Sequence, residues 1–273
     1  MEPELSLIIV NYNGLNYLQA CLDSLADKLS GIRHEIVIVD NNSTDNSTTF
    51  IAHNYPGIVL VKSSQNLGFG KGNNEGVKRA AGEYILLINN DTIVLDNLAP
   101  VLEVLKSDET IGALGINMLN GNREYLVPGG RFPSFRNMLE IKQVALGLGD
   151  EFRNGRFEKD KYEIDWLGGA FLMMRKKIFL EMGGFDKDYF MYVEDVDFSK
   201  KLADKGYKRV FLPDYSYIHF VGFTTAKNPL LIKGYRTYIK KHFHGLKKQL
   251  LLFALKLNEI VKVIKQGRKA GTL

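Results

Sequence analysis

Three short clusters of asparagine and aspartate each follow an apolar run, and their side chains are of the kind that hold an oxygen-rich ligand. Asn11-Tyr12-Asn13 follows Leu5 to Val10, Asp40-Asn41-Asn42 follows Glu35 to Val39, and Asn89-Asn90-Asp91 follows Tyr84 to Ile88. A carboxylate such as Asp40 accepts hydrogen bonds from a base or a ribose. Asp91, followed by Thr92, is aimed where a divalent cation could bridge diphosphate oxygens. One carboxylate makes a weak cation site, so a second ligand is needed. His219, between Ile218 and Phe220, is available, although a lone histidine in such company also reads as a satisfied core residue. The densest acidic spot is Glu194-Asp195-Val196-Asp197, among Phe190, Met191, Tyr192 and Phe198. A carboxylate there, Asp195 or Glu194, suits a general base. The same acids suit the first turn of a helix whose later residues include Lys200, Lys201 and Lys205. Both readings hold if Asp197 caps the helix and Asp195 faces the cleft.

These residues converge only if the elements carrying them share one edge. Leu5 to Val10, Glu35 to Val39, Gly57 to Val61 and Tyr84 to Ile88 are nearly unbroken apolar runs, the pattern of strands buried on both faces. Tyr17, Leu18, Cys21, Leu22, Leu25 and Leu29 recur at helical spacing, and Asn73 to Ala81 predicts a shorter helix. Strands alternating with helices imply a parallel, right-handed α/β sheet whose ligands collect at the carboxyl ends of the strands. Any one polar cluster could be a plain turn; three together favour a shared site. From Gly112 to Lys161 the pattern is irregular and predicts a long connection or an excursion over the sheet. Order returns at Asp165 to Met174, where Gly168-Gly169 allows close backbone approach before another buried strand. Gly183-Gly184-Phe185-Asp186 breaks the chain, and a helix from about Val196 to Lys205, ended by Gly206, follows.

Composition narrows the classes. The chain has 273 residues, 45% apolar and 25% charged, which fits one medium domain plus an appendage or two small domains. Cys21 is the single cysteine, which excludes a disulfide framework or a cysteine zinc cage and fits a reducing compartment. The acidic start, Met1-Glu2-Pro3-Glu4, does not resemble a secretory signal, and no apolar window is long enough to span a bilayer, so a cytoplasmic protein is expected. No Gly-x-Gly-x-x-Gly follows the first strand, and Asn66 to Gly72 lacks the Gly-Lys-Ser/Thr of a phosphate-binding loop.

Charge is unevenly placed. Of 36 Lys and Arg and 31 Asp and Glu, the segment 226–273 holds twelve basic residues and only Glu259, a net +11, leaving −6 for residues 1–225. In that tail Leu246, Leu250, Phe253, Leu257, Ile260, Val261 and Ile264 form a helical stripe, with Lys247, Lys248, Lys256, Lys262 and Lys265 mostly elsewhere. A basic amphipathic helix fits a membrane surface, packing on the protein, or a second subunit. Nucleic acid is not expected as the partner.

Seven blocks, in order, resemble inverting family 2 glycosyltransferases of the GT-A fold, in the rhamnosyltransferase-like subgroup. They are Ser6 to Asn13, Ile38 to Asp45, Asn66 to Phe69, Leu87 to Thr92, Trp166 to Ala170, Gly183 to Asp186 and Met191 to Asp197. The resemblance implies a Rossmann-like, mostly parallel central sheet with flanking helices over residues 1–225, followed by a basic helical tail at 226–273. It implies a nucleotide-sugar site lined by Tyr12, Asn13, Asp40, Asn42, Asn66, Gly68, Phe69, Asn89, Asn90, Trp166 and Gly169. Asp91 would be the last acid of the family's Asp-x-Asp motif, with Asn89 at its first position, and His219 the late metal-binding histidine, together holding Mn2+ or Mg2+. Asp195 matches the catalytic base, with Glu194 beside it. The implied activity is transfer of a sugar, rhamnose from dTDP-rhamnose by subgroup, to a glycan or lipid-linked acceptor in cell-surface polysaccharide synthesis. The tail would then touch the inner face of the membrane or a second subunit. A catalytically silent relative that binds a sugar nucleotide or a partner transferase is the non-enzymatic alternative. A sugar nucleotidyltransferase would need a Gly-rich basic signature that Asn11 to Gly14 does not supply.

Overall fold

Unbroken apolar strands need cover on both faces, and the helices between them provide it. In the computed structural model, which describes residues 2–220 and 228–270, the N-terminal part alternates strand and helix. It runs β1 (Leu5–Asn11), α1 (Leu15–Lys28), β2 (His34–Asp40), α2 (Ser47–Asn54), β3 (Val59–Lys62), α3 (Gly68–Arg79) and β4 (Tyr84–Asn89). These four strands are parallel in the order β3-β2-β1-β4. Then come β5 (Thr92–Val94), α4 (Ala99–Ser107), β6 (Ile111–Leu119), β7 (Tyr125–Leu126) and β8 (Gly129–Gly130). An excursion follows through α5 (Phe135–Leu139), α6 (Lys142–Leu146), α7 (Asp150–Asn154) and β9 (Tyr162–Glu163). The chain closes with β10 (Trp166–Leu167), β11 (Phe171–Arg175), α8 (Lys176–Glu181), α9 (Glu194–Asp204), β12 (Lys208–His219), α10 (Asn228–His242) and α11 (Gly245–Ala270).

The main sheet has the order β3-β2-β1-β4-β11-β6-β12-β5, with β7 on β6 and β9 on β12; β8 and β10 pair separately. It is largely parallel but mixed: β11 runs antiparallel to β4 and β6, and β12 antiparallel to β5 and β9. Leu5, Leu7 and Ile9 enter a core with the buried face of α1 and with Leu102 and Leu105 of α4. Ile8, Val37 and Leu87 enter the opposite core with Phe179, Phe185 and Phe198. This is the α/β architecture expected of a GT-A fold.

Four local expectations are corrected. The run at Gly57 to Val61 is an edge strand rather than one buried on both faces, with Val59 40% exposed. The segment after Gly112 opens as β6, a central nine-residue strand, not irregular chain. Its glycines hid it, and they are there because Leu202 and Tyr207 fill the space a Cβ at Gly112 would need, and Leu167 that at Gly115. α3 begins at Gly68, not Asn73, despite four glycines of low helix propensity. At Gly72 and Gly76 a side chain would strike Val10 and Ile8, so glycine lets this helix lie close against β1. α9 starts at Glu194, two residues early, and its N-cap is Val193; Asp197 lies inside the helix and does not cap it.

The tail is also more than an appendage. α10 and α11 share a third core with Met138, Tyr189, Val193 and Val196. Lys241 bridges Asp186 and Asp188 at 2.9 and 2.7 Å, and Arg236 bonds Glu259 at 2.8 Å. The face of α11 that packs inward carries Leu251, Ala254, Leu255 and Asn258. Of the stripe read from sequence, Leu246, Leu250, Phe253, Ile260 and Val261 are exposed and Leu257 is partly buried; the side chains of Ile264 and Lys265 lie outside those described. No described helix is long and apolar enough to cross a membrane.

Candidate active site

Parallel register sets the site. Asn11 stands opposite Asp40, and Val10 opposite Asn89, so the three polar clusters end at one edge. Asn11 is their hub: its amide donates to Asp40 Oδ1 (3.0 Å) and Ser43 Oγ (3.1 Å), and its oxygen accepts from Asn90 Nδ2 (2.8 Å). Asp40, 3% exposed, also accepts from the Ser43 amide through Oδ2 at 3.0 Å. Asn13 sits at φ 52 and turns its Oδ1 to the Thr44 amide at 2.7 Å, clamping the β2–α2 loop. Asn42, at φ 63, and Tyr12, 51% exposed, are the open members of this group. The pattern of residues does not mark Asn11 as the hub, because a fully buried asparagine is indistinguishable in sequence from a turn residue.

The Asn66 to Phe69 turn approaches from the side. Asn66 Oδ1 accepts from the Gly68 amide at 2.9 Å, and Asn41, behind Asp40, donates to the Gly68 carbonyl at 3.0 Å. Gly68, at φ +77, lies so close to the Phe190 carbonyl that no side chain fits, and the Phe69 amide donates to that carbonyl at 2.9 Å. Gly169 meets the Phe69 ring: a Cβ there would come within 2.9 Å of Cε1 and 3.7 Å of Asp195 Cβ. The turn and Gly169 thus flank the acidic start of α9.

At the end of β4, Asp91 is 7% exposed and its Oδ1 lies 3.3 Å from His219 Nε2. His219 is brought there by the pairing of β12 with β5, which sets it opposite Thr92, and the Phe220 amide donates to the Asp91 carbonyl at 3.0 Å. Asn89 Nδ2 is 3.2 Å from the same imidazole nitrogen. Cys21 is nearby, with Sγ 3.7 Å from Thr92 Oγ1, and burial pushes its thiol up to about 11, so the free thiol stays protonated at neutral pH. Among the described residues no cluster of three or more His, Cys, Asp or Glu could enclose a metal. The donor set is one carboxylate and one imidazole with an amide beside them. It fits a hard or borderline divalent ion only if ligand oxygens and water complete the shell, as they do where a cation rides on a diphosphate.

α9 presents the acids. Asp195 accepts from the Gly169 amide at 3.0 Å and from the Val196 amide at 2.9 Å, and burial nonetheless raises its pKa above the ordinary aspartate value. Glu194 is 4% exposed, its Oε2 has no hydrogen-bond partner, and burial, helped by the Asp195 charge, holds its pKa well above the usual range. Asp197 is buried against Tyr189 Oη (3.1 Å) and His242 Nε2 (2.7 Å), a structural tie between α9 and α10.

The turn entering α9 is strained. Tyr192 and Val193 are consecutive non-glycine residues at φ 69 and 73, a region that a β-branched side chain rarely occupies. α10 holds it there: Gly234 sits so close that a Cβ would meet the Tyr192 carbonyl and Val193 Cγ2, each at 2.7 Å. Sequence gave no sign of this brace beyond an isolated glycine in a helical stretch. Trp166 packs against the core that contains Val193 and Val196, and its indole N–H donates to the Arg131 carbonyl at 3.0 Å.

A family model described as Glycosyl transferase family 2 matches residues 6–182. The chain is 27% identical over 253 residues to the N-acetylglucosaminyl-diphospho-decaprenol L-rhamnosyltransferase of Mycobacterium tuberculosis, covering 84% of this chain and 80% of that protein. It is 26% identical over 258 residues to rhamnosyltransferase WbbL of Escherichia coli K12, covering 90% and 94%. Its fold is similar to the crystal structure of GalNAc-T7 with UDP, GalNAc and Mn2+, at a TM-score of 0.65 and 18% identity; the match covers 86% of this chain and about half, 47%, of that one.

Proposed function

The chain belongs to glycosyl transferase family 2, and from that premise we propose that it moves rhamnose from a nucleoside diphosphate to a hydroxyl of a lipid-linked glycan, inverting the anomeric centre. The observation that carries this reading is the placement of Asp195, anchored by the Gly169 amide beside the Phe69 turn. The names of the two relatives support rhamnose and, in one case, a diphosphate-lipid acceptor. Residues 1–225 then act as the transferase domain, and 226–273 as a tail that also braces it.

In this mechanism Asp40, Asn42 and Tyr12 hold the nucleoside, with Asn11 and Asn13 fixing their loops. Asp91 and His219 would hold a divalent cation, Mn2+ or Mg2+, which when bound offsets the charge gathering on the departing diphosphate. Asp195 accepts the proton of the acceptor hydroxyl. That oxygen bonds to the anomeric carbon as the bond from carbon to diphosphate oxygen breaks, and the proton remains on the Asp195 carboxyl. A raised pKa makes Asp195 a better proton acceptor than a solvated aspartate, while its two backbone donors fix its aim. Burial raises the pKa of Glu194, which favours its neutral form and so lessens any second charge facing the diphosphate. The outward face of α11, with Leu246, Leu250, Phe253, Ile260 and Val261, would lie on the cytoplasmic leaflet, where a lipid-linked acceptor resides.

The test is release of nucleoside diphosphate from a panel of sugar nucleotides, with and without Mn2+ or Mg2+ and with lipid-linked acceptors, beside Asp195→Asn. One donor should turn over, and the variant should lose about 10²–10⁴-fold in rate. Saturable donor binding with no turnover under any of these conditions would instead make the chain a silent relative.

A further inference from the structure

A cavity of about 600 Å³ opens in the α5–α7 excursion, away from the strand ends that carry Asp40 and Asp91. Three guanidinium-bearing side chains line it, Arg131, Arg136 and Arg153, against one carboxylate, Glu140, which accepts from Gln143 Nε2 at 3.0 Å. Arg131 is only loosely engaged, 3.5 Å from Asp165, and Arg153 lies 3.3 Å from Asp150. Arg136 makes no side-chain hydrogen bond or ion pair among the described residues. Guanidinium forks match phosphate oxygens two at a time, and the volume lies within the usual range for a ligand larger than a single phosphate.

Its position narrows the ligand. Trp166 pairs with Gly130 and bonds the Arg131 carbonyl, and three residues on Gly169 holds Asp195, so one short segment ties the Arg131 side of the cavity to the base. α5, which carries Arg136, is also the seat of α11: Asn258 donates to the Leu139 carbonyl at 2.7 Å, and Met138 joins Leu251 and Leu255 in one core. The elements that line the cavity are therefore linked on one side to the segment that holds the base and on the other to α11. With the donor's diphosphate assigned to the Asp91–His219 edge, a diphosphate bound in this cavity would be a second one, of the kind the name of the Mycobacterium tuberculosis relative gives its acceptor.

We propose that the Arg131–Arg136–Arg153 cavity binds the diphosphate of a polyprenyl-diphosphate-linked acceptor, setting its first sugar toward Asp195. The proposal rests on the transferase reading above and names its acceptor class. Trp166 is the chain's only tryptophan and its indole bonds the backbone of the lining residue Arg131, so its emission reports on the ground beside the cavity. The full chain is titrated with farnesyl diphosphate, farnesol and inorganic pyrophosphate in EDTA, where no cation can hold a diphosphate at Asp91 and His219, with calorimetry as a second readout. Farnesyl diphosphate should bind saturably and more tightly than either fragment. The Arg136→Ala/Arg153→Ala variant should weaken it by about tenfold or more, with Arg136→Lys intermediate because it keeps the charge but loses the fork. Equal binding by farnesol, equal binding by free pyrophosphate, no binding at all, or unchanged affinity in the double variant would each overturn the proposal. In the transfer assay the double variant should raise KM for the diphosphate-linked acceptor but not for the same glycan on a neutral alkyl chain. If the wild type transfers to neither, the transferase reading fails, while the titration still decides what the cavity binds.

Discussion

Glu194 and Asp195 are neighbours whose surroundings set different tasks, the arrangement that separates acids from bases in one site. Asp195 has two backbone donors on its carboxylate, yet burial still lifts its pKa above 3.8. A base works deprotonated, so kcat/KM should fall as pH drops, with its midpoint above 3.8, and Asp195→Asn should erase that limb of the profile. Glu194 has no donor for its Oε2 and is buried beside a charge, so the folded protein favours its neutral form. Its folded pKa lies above the unfolded 4.5, so the native state binds the proton more tightly and the stability this gives is complete below 4.5. That contribution is lost as pH rises from there through the folded value. Glu194→Gln mimics the neutral acid at every pH. Thermal midpoints measured from about pH 5 to about pH 8 should therefore decline less in the variant than in the wild type. Parallel curves would show that Glu194 is ionised in the folded protein.

At the scale of elements, glycines decide where helices approach the sheet and the Tyr192–Val193 turn. In α10, Gly234→Ala would gain up to about 1 kcal/mol in helix propensity. It would also drive a methyl into the Tyr192 carbonyl and Val193, and overpacking of that kind costs roughly 1–3 kcal/mol. The clash is with backbone, which cannot swing aside, so the loss should win: the variant melts earlier and kcat falls, whereas exposed Lys240→Ala on the same helix changes neither. A higher melting temperature for Gly234→Ala would mean the Tyr192–Val193 turn does not lean on α10. The same glycines limited what could be read in advance. β1, β2 and β4 were legible because their apolar runs have no competing period, and the clusters at their ends followed from topology. β6 and the start of α3 were not, since Gly112, Gly115, Gly72 and Gly76 answer to side chains distant in sequence, Leu202, Leu167, Val10 and Ile8. Asp91 and His219 were legible singly, but their 3.3 Å approach depends on β12 pairing with β5, a contact no local pattern encodes. The strain at Val193 left no trace, because valine is an ordinary strand residue everywhere except at positive φ.

Over the whole molecule, the net −6 of residues 1–225 and the +11 of 226–273 form a dipolar chain, and α11 decides which way it faces. One side of that helix is committed to the body through Leu251, Ala254 and Leu255, so only its outer side is free to meet another surface. Leu246 is 75% exposed and Phe253 58%, with Lys247 and Lys256 exposed alongside. Apolar contact alone would not distinguish a bilayer from a second copy of the chain, but charge does. A second copy presents the same +11, whereas an anionic leaflet attracts each basic residue by about 1 kcal/mol. The protein should therefore sediment with phosphatidylglycerol vesicles and much less with phosphatidylcholine, and added salt should release it as the screening length shrinks. Leu250→Asp with Phe253→Asp places two carboxylates on an already exposed face, so the fold should survive while vesicle binding is lost. Turnover of a lipid-linked acceptor in vesicles should fall with it, and turnover of a short soluble acceptor should not. Binding indifferent to lipid charge would contradict the electrostatic orientation. A dimer that the double variant converts to monomer, with no vesicle binding by the wild type, would assign the face to self-association instead.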